Sequence, residues 1–126
     1  MLKRPVFVHG IAIAAALLAS GGSALAQDAQ AGKRVFNRCG ACHSIEAGKN
    51  KTGPTLFAIF GRKAGGVSGF SYSPAMTASG IFWDAEKLDA FVKDSKGMIP
   101  GNRMPFPPLP DAKDRADLVA YLKTLK

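Results

Sequence analysis

The sequence predicts an all-α fold of about three main helices joined by short helices and long loops. Three observations predict it. Apolar residues recur at helical spacing in three segments, no segment alternates apolar and polar residues as a half-buried strand does, and the connections are long and rich in glycine and proline. With 126 residues the chain has room for one domain.

The chain opens with Lys3 and Arg4, an apolar run over 11–19, and the small residues Ala24 and Ala26. This is the layout of a secretory leader, and it predicts a signal peptide over 1–26, cleaved after Ala26, ahead of a domain over 27–126. An uncleaved anchor is the alternative, but the run is short for a bilayer and His9 and Gly10 interrupt it upstream. The expected location is therefore the periplasm of a bacterium, with no stable membrane insertion after cleavage.

Asp28 is the N-cap of a first helix whose inner face carries Gly32, Val35, Phe36 and Cys39, and Gly40 ends it. After a loop over 45–53, Thr55 caps a very short helix over 56–60, closed by Gly61. Three glycines make 62–69 a loop. Ser73 and Pro74 are an N-cap and first-turn proline for a short helix that stops at Gly80. Asp84 starts a stronger helix, with Glu86 in the first turn, Lys93 and Lys96 in the last, and Gly97 at its end, matching the helix dipole. Leu88, Phe91 and Val92 form its inner face. The loop over 98–110 contains five prolines, a length and composition that point to a functional loop. Asp111 caps the last helix, lined on one side by Leu118, Tyr121, Leu122 and Leu125.

The chain carries a formal charge of +8, which falls to about +6 once Lys3 and Arg4 leave with a leader that has no acidic residue. The basic residues are scattered and no nucleic-acid motif is present, so nucleic acid is not an expected partner. A solvated surface and a steering surface for an acidic protein are the two readings of this charge.

The chemistry lies in Cys39-Gly-Ala-Cys42-His43, which holds the chain's two cysteines. Two thiols at this spacing match the two vinyl groups of a haem, and the histidine that follows falls beneath the iron. A thioredoxin-like redox site needs a βαβ pattern, which is absent, and a structural zinc site needs four ligands. A disulfide would close a very tight loop and leave His43 unexplained. One haem c per chain, covalently held through Cys39 and Cys42 with His43 on the iron, is the expectation. His43 is the one histidine beyond the leader, so a second axial ligand from this chain is expected to be a methionine sulfur. Met76, Met98 and Met104 compete. Met104 is favoured because Pro100 and Pro105 stiffen its loop.

Seven blocks carry a resemblance: CGACH at 39–43, KTGPTL at 51–56, FGRK at 60–63, GFSYS at 69–73, Trp83, IPGNRMPF at 99–106 and RADLVAYL at 115–122. In order and spacing they resemble the class I cytochrome c family, similar to mitochondrial cytochrome c and its soluble bacterial relatives. The resemblance implies a small cytochrome c fold wrapped around the haem, with Met104 as sixth ligand. It implies that the Pro54 carbonyl accepts the His43 ring N–H, and that Arg62, Tyr72 and Trp83 sit near the haem propionates. Gly32 and Phe36 would meet Leu118 and Tyr121 where the end helices cross.

Two positions depart from the family pattern. Phe91 stands where relatives often have a tyrosine, and Met76 where they often have an asparagine. Both losses predict a drier pocket around the sulfur, with Asn102 as a partial compensation. The apolar wall is expected from Leu56, Phe60, Leu88, Phe91 and Leu109. Arg38, Lys51, Lys96 and Arg103 match a partial basic ring around the exposed haem edge, while Gly97 and the 107–111 stretch lack the ring's lysines. The ring implies transient docking of an otherwise monomeric protein with acidic redox proteins. The family implies a one-electron carrier between membrane complexes, from a quinol-oxidising cytochrome bc complex to a terminal oxidase or photosynthetic reaction centre. An enzyme of peroxidase type would need an open iron and a distal acid–base group, for which no histidine is left.

Overall fold

The structure is a computed structural model that describes residues 27–126, together with Leu2 and Pro5. Apart from those two positions, the leader expected over 1–26 lies outside the described residues. Five helices follow in order: α1 (Ala29–Phe36), α2 (Pro74–Ala78), α3 (Ala85–Lys93), α4 (Ser95–Met98) and α5 (Ala112–Lys123). Among the described residues the only β-type pairing is an antiparallel bridge between Lys63 and Phe82. None of these helices is long and apolar enough to cross a membrane.

Every N-cap foreseen for α1, α2, α3 and α5 is made. The Asp28 carboxylate accepts from the Gln30 N–H at 2.9 Å, the Ser73 hydroxyl from Met76 at 3.1 Å, the Asp84 carboxylate from Lys87 at 2.8 Å and the Asp111 carboxylate from Asp114 at 2.8 Å. Each satisfies a donor that the helix leaves without an internal partner.

Three expectations fail. The first helix ends at Phe36 with Asn37 as its C-cap, so Cys39 and Gly40 lie in the turns beyond it. Residues 56–60 form turns and no helix. Ala58 adopts φ +53°, outside the right-handed helical region, and donates its N–H to the Leu125 carbonyl at 2.8 Å. The Arg62 guanidinium takes the Thr55 and Phe57 carbonyls at 2.8 and 2.9 Å, so side-chain and tertiary bonds replace the helical ladder. The helix from Asp84 also ends earlier than Gly97. Asp94 interrupts it, and its carboxylate accepts from the Gly97 N–H at 2.9 Å to start α4.

The core is built on the crossing of α1 and α5, the most extensive helix–helix contact. Gly32 allows it: a Cβ there would overlap the Asp117 backbone carbonyl and stand 2.8 Å from the Tyr121 Cβ. The Phe36 and Tyr121 rings meet at 5.4 Å between centroids, and Leu118 is 1% exposed. Polar bonds lock the same crossing. The Asp117 carboxylate accepts from the Asp28 N–H at 2.9 Å and from the Lys113 ammonium at 2.6 and 2.7 Å.

Two further ties position the loops. Residues 61–64 are stitched to 81–83, with Trp83 N–H on the Arg62 carbonyl at 2.9 Å and Ala64 N–H on the Ile81 carbonyl at 2.7 Å. The end of the proline-rich loop is held by buried Arg115, which donates to the Leu109 and Pro110 carbonyls at 2.9 and 2.8 Å and pairs with Asp89 at 2.8 Å.

Gly32→Ala is expected to destabilise the folded protein by about 3 kcal/mol, because backbone and not a flexible side chain blocks the new methyl; urea unfolding midpoints measure this. The Lys113 ammonium, helped by the Asp28 N–H and by Arg34, holds the Asp117 carboxyl below its ordinary 3.8. A depressed folded-state pKa adds stability above the unfolded value and loses it as pH falls through the folded one. The stability advantage of the native chain over Asp117→Asn should therefore shrink as the unfolding midpoint is followed below about pH 4.

Candidate functional site

Beyond α1 the chain turns through the cysteine motif without leaving the helix axis abruptly. Cys39 N–H donates to the Phe36 carbonyl at 2.7 Å, Cys42 N–H to Cys39 at 3.0 Å and His43 N–H to Cys39 at 2.9 Å. These short-range bonds set both thiols and the imidazole on one turn that grows directly out of the α1–α5 crossing. Burial pushes the Cys39 thiol up to about 11. A redox-active cysteine pair needs the opposite shift, so this site is not built to generate a thiolate.

His43 is held on two sides. Its Nδ1–H donates to the Pro54 carbonyl at 2.7 Å, which fixes the tautomer and leaves Nε2 as a lone-pair donor. Gly53 lies against the ring, and a Cβ there would stand 2.5 Å from the imidazole Cε1. Burial lowers the pKa of His43 and nearby Arg62 and Lys51 add to the effect, against the Pro54 bond, so the ring stays neutral near neutral pH.

A cavity of about 380 Å³ opens beside this turn, and Cys39, Cys42, His43 and Met104 all lie in its wall. So do Pro54, Arg62, Tyr72, Trp83 and Phe91. The apolar wall differs in part from expectation. Leu56, Leu88 and Phe91 line the cavity, whereas Phe60 and Leu109 do not. Leu109 is instead buried in the core at 1% exposed, and Ile59 takes the place foreseen for Phe60. Ala58, with φ +53°, lies just before Ile59 and Phe60, in a segment that forms turns and not the expected helix. Of the rival methionines, Met76 lines the cavity and Met98 packs against the core outside it.

The polar groups are placed for an anion. Arg62 spends two of its five N–H donors on the Thr55 and Phe57 carbonyls and lines the cavity with the rest of its charge. The Tyr72 hydroxyl accepts from the Val67 N–H at 3.1 Å, which leaves its own proton to donate. A cavity with Leu, Ile, Phe and Trp in its wall, one neutral imidazole, one thioether-bearing loop and a cation with a phenol fits a flat macrocycle that carries a metal and acidic side groups.

The four basic residues foreseen as a docking ring are all exposed. Three of them reach back to backbone carbonyls: Lys51 to Gly40, Lys96 to Asn102, and Arg103 to Tyr72 at 2.7 Å. Arg38 and Arg103 line the cavity itself, and Lys63, which the sequence reading did not single out, lies with them. Asn102 was expected to offer hydrogen bonds near the sulfur. Its amide donates instead to the Ser95 and Ile99 carbonyls, so it does not compensate for the missing groups at Met76 and Phe91.

The sequence model of the cytochrome c family matches residues 29–126. Cytochrome c2 iso-2 of Magnetospirillum fulvum is 49% identical over 91 residues, covering 72% of this chain and 95% of that protein. Cytochrome c2 of Blastochloris viridis is 46% identical over 108 residues, covering 85% of each chain. The solved structure of cytochrome cH from Methylobacterium extorquens superimposes with a TM-score of 0.74 at 45% identity, over 77% of this chain and 98% of the other. With a matching family model across the whole described domain and relatives of nearly its own length, the chain belongs to the cytochrome c family, electron carriers that hold a covalently attached haem c and work with redox partners.

Proposed function

We propose that this chain is a soluble periplasmic carrier of single electrons between membrane redox complexes, from a quinol-oxidising cytochrome bc complex to a terminal oxidase or a photosynthetic reaction centre. In this reading Cys39 and Cys42 hold the haem through thioethers, and His43 and Met104 are the axial ligands. The observation that carries the reading is that one cavity wall contains both cysteines, a single imidazole with its tautomer fixed, and Met104.

The haem supplies one-electron redox chemistry at its iron. The protein's part is to hold the two axial groups and exclude water. Pro54 orients the His43 ring, and the missing side chain at Gly53 makes room for it. Ligation by a thioether and an apolar wall of Leu56, Ile59, Leu88 and Phe91 both favour the reduced state and so a relatively high potential. Arg62, Tyr72 and Trp83 answer the acidic side groups. Two filled axial positions leave none for peroxide or oxygen, which supports a carrier over a peroxidase.

The exposed cations support docking with an acidic partner. Arg38, Lys51, Lys96 and Arg103 are available for this, and contacts of this kind bury little area and separate quickly. The leader over 1–26 supports export, with the mature chain starting at Gln27 and acting as a monomer.

Reduced and oxidised spectra of the protein purified from the periplasmic fraction test the site. The native chain should be low-spin in both states and begin at Gln27. Met104→Ala should keep the covalent haem, turn high-spin in the ferric state and lose potential; an unchanged spectrum would remove Met104 from the iron. Electron transfer to an acidic partner should slow at least about tenfold between 0.01 and 0.15 M salt, as the screening length falls from about 30 to about 8 Å. A rate flat across that range would dismiss the charge ring.

A further inference from the structure

We propose that Asn102 is the positioning residue for Met104, a role that rests on the reading of Met104 as an axial ligand. Asn102 is 3% exposed, yet it carries a full polar amide into the interior. Its three side-chain bonds account for that burial. Nδ2 donates to the Ser95 carbonyl at 2.8 Å and to the Ile99 carbonyl at 2.9 Å. Oδ1 accepts from the Met104 backbone N–H at 2.9 Å. Two carbonyls and one N–H allow only one orientation of the amide.

The bonds join three places in the chain. Ser95 opens α4, Ile99 closes it, and Met104 lies past the turn. The Asn102 backbone adds two ties of its own, its N–H to the Ile99 carbonyl at 3.1 Å and its carbonyl to the Lys96 ammonium. The cap at Asp94 thereby acquires a purpose. Breaking the helix from Asp84 and restarting it as α4 presents the Ser95 carbonyl to the amide that holds the methionine loop. Prolines limit the backbone freedom of the loop, but they contribute no N–H and cannot fix its height above the cavity. The amide does that.

A buried amide cut back to a methyl leaves the Met104 N–H without a partner, and the Ser95 and Ile99 carbonyls keep only the backbone N–H groups of Ile99 and Asn102. Sulfur should then leave the iron more often. The probe is imidazole added to the ferric, haem-loaded protein. At saturating imidazole the binding rate no longer depends on its concentration and reports how often the sulfur departs. Asn102→Ala should raise this limiting rate by about tenfold or more, and the Met104 amide should lose protection against hydrogen exchange. Val119→Ala, which opens a hole in α5 away from the cavity wall, should lower the urea midpoint and leave the limiting rate unchanged. Asn102→Ser keeps a hydroxyl that can accept from Met104 and should fall between the native chain and Asn102→Ala; it also serves if the alanine variant does not fold. A limiting rate within twofold of native in Asn102→Ala, or in Asn102→Ser where that variant alone folds, overturns the proposal. So does an equal rise in Val119→Ala, which would make the effect one of general stability. Failure of the underlying ligand assignment is seen separately, as a Met104→Ala spectrum identical to native.

Discussion

The contact between α1 and α5 is the constraint on which the rest of the molecule depends. Gly32 brings the two backbones within touching distance of Asp117, and Phe36 packs on Tyr121 beside it. From that fixed point the chain runs directly into the motif turn, so the positions of Cys39, Cys42 and His43 are set by a helix crossing and not by a free loop. The other helix of the pair gives Leu118 and Leu122 to the cavity wall. A domain of about a hundred residues has little apolar surface to spare for a core. Here one crossing serves both as the core and as the floor of the site.

Much of this was legible in residue patterns. Four N-caps stand where aspartate or serine precedes an apolar period, because a side chain of the right length opposite free N–H groups is a local matter. The haem motif was legible for the same reason: its chemistry is contained in five consecutive residues. Where the reading failed, a distant group won. Arg62, a few residues on, takes the Thr55 and Phe57 carbonyls, and the Leu125 carbonyl takes the Ala58 N–H, a bond that no window around Thr55 reveals. The mistaken wall residues, Phe60 and Leu109, are apolar like the true ones, and which apolar residue faces the cavity and which enters the core is settled by tertiary packing. Asn102 was noticed as a polar residue near the site, but its partners are the Ser95 and Ile99 carbonyls at the two ends of α4 and the Met104 N–H, and Asp94 caps the short helix that sets the first two.

The surface cations show a second pattern. Lys51, Lys96 and Arg103 are exposed and each reaches back to a backbone carbonyl, and Arg103 also lines the cavity. Exposed charge-to-carbonyl bonds are worth little on their own in water. They do reduce the wandering of long side chains, so cations held in this way present their charge at defined places to whatever approaches.

Arg62 has a broader meaning. It is a half-buried cation tied by two bonds to the turn at 55–57, and it lines the cavity that holds the cysteines and His43. A haem c is covalently attached and stays on the chain when it unfolds, so an acidic side group of it would stabilise the folded form through contacts such as this one with Arg62, made only there, and not by mass action. The group that takes up the electron is then also a structural part of the domain, since residues from the first turn to the last helix meet around that cavity.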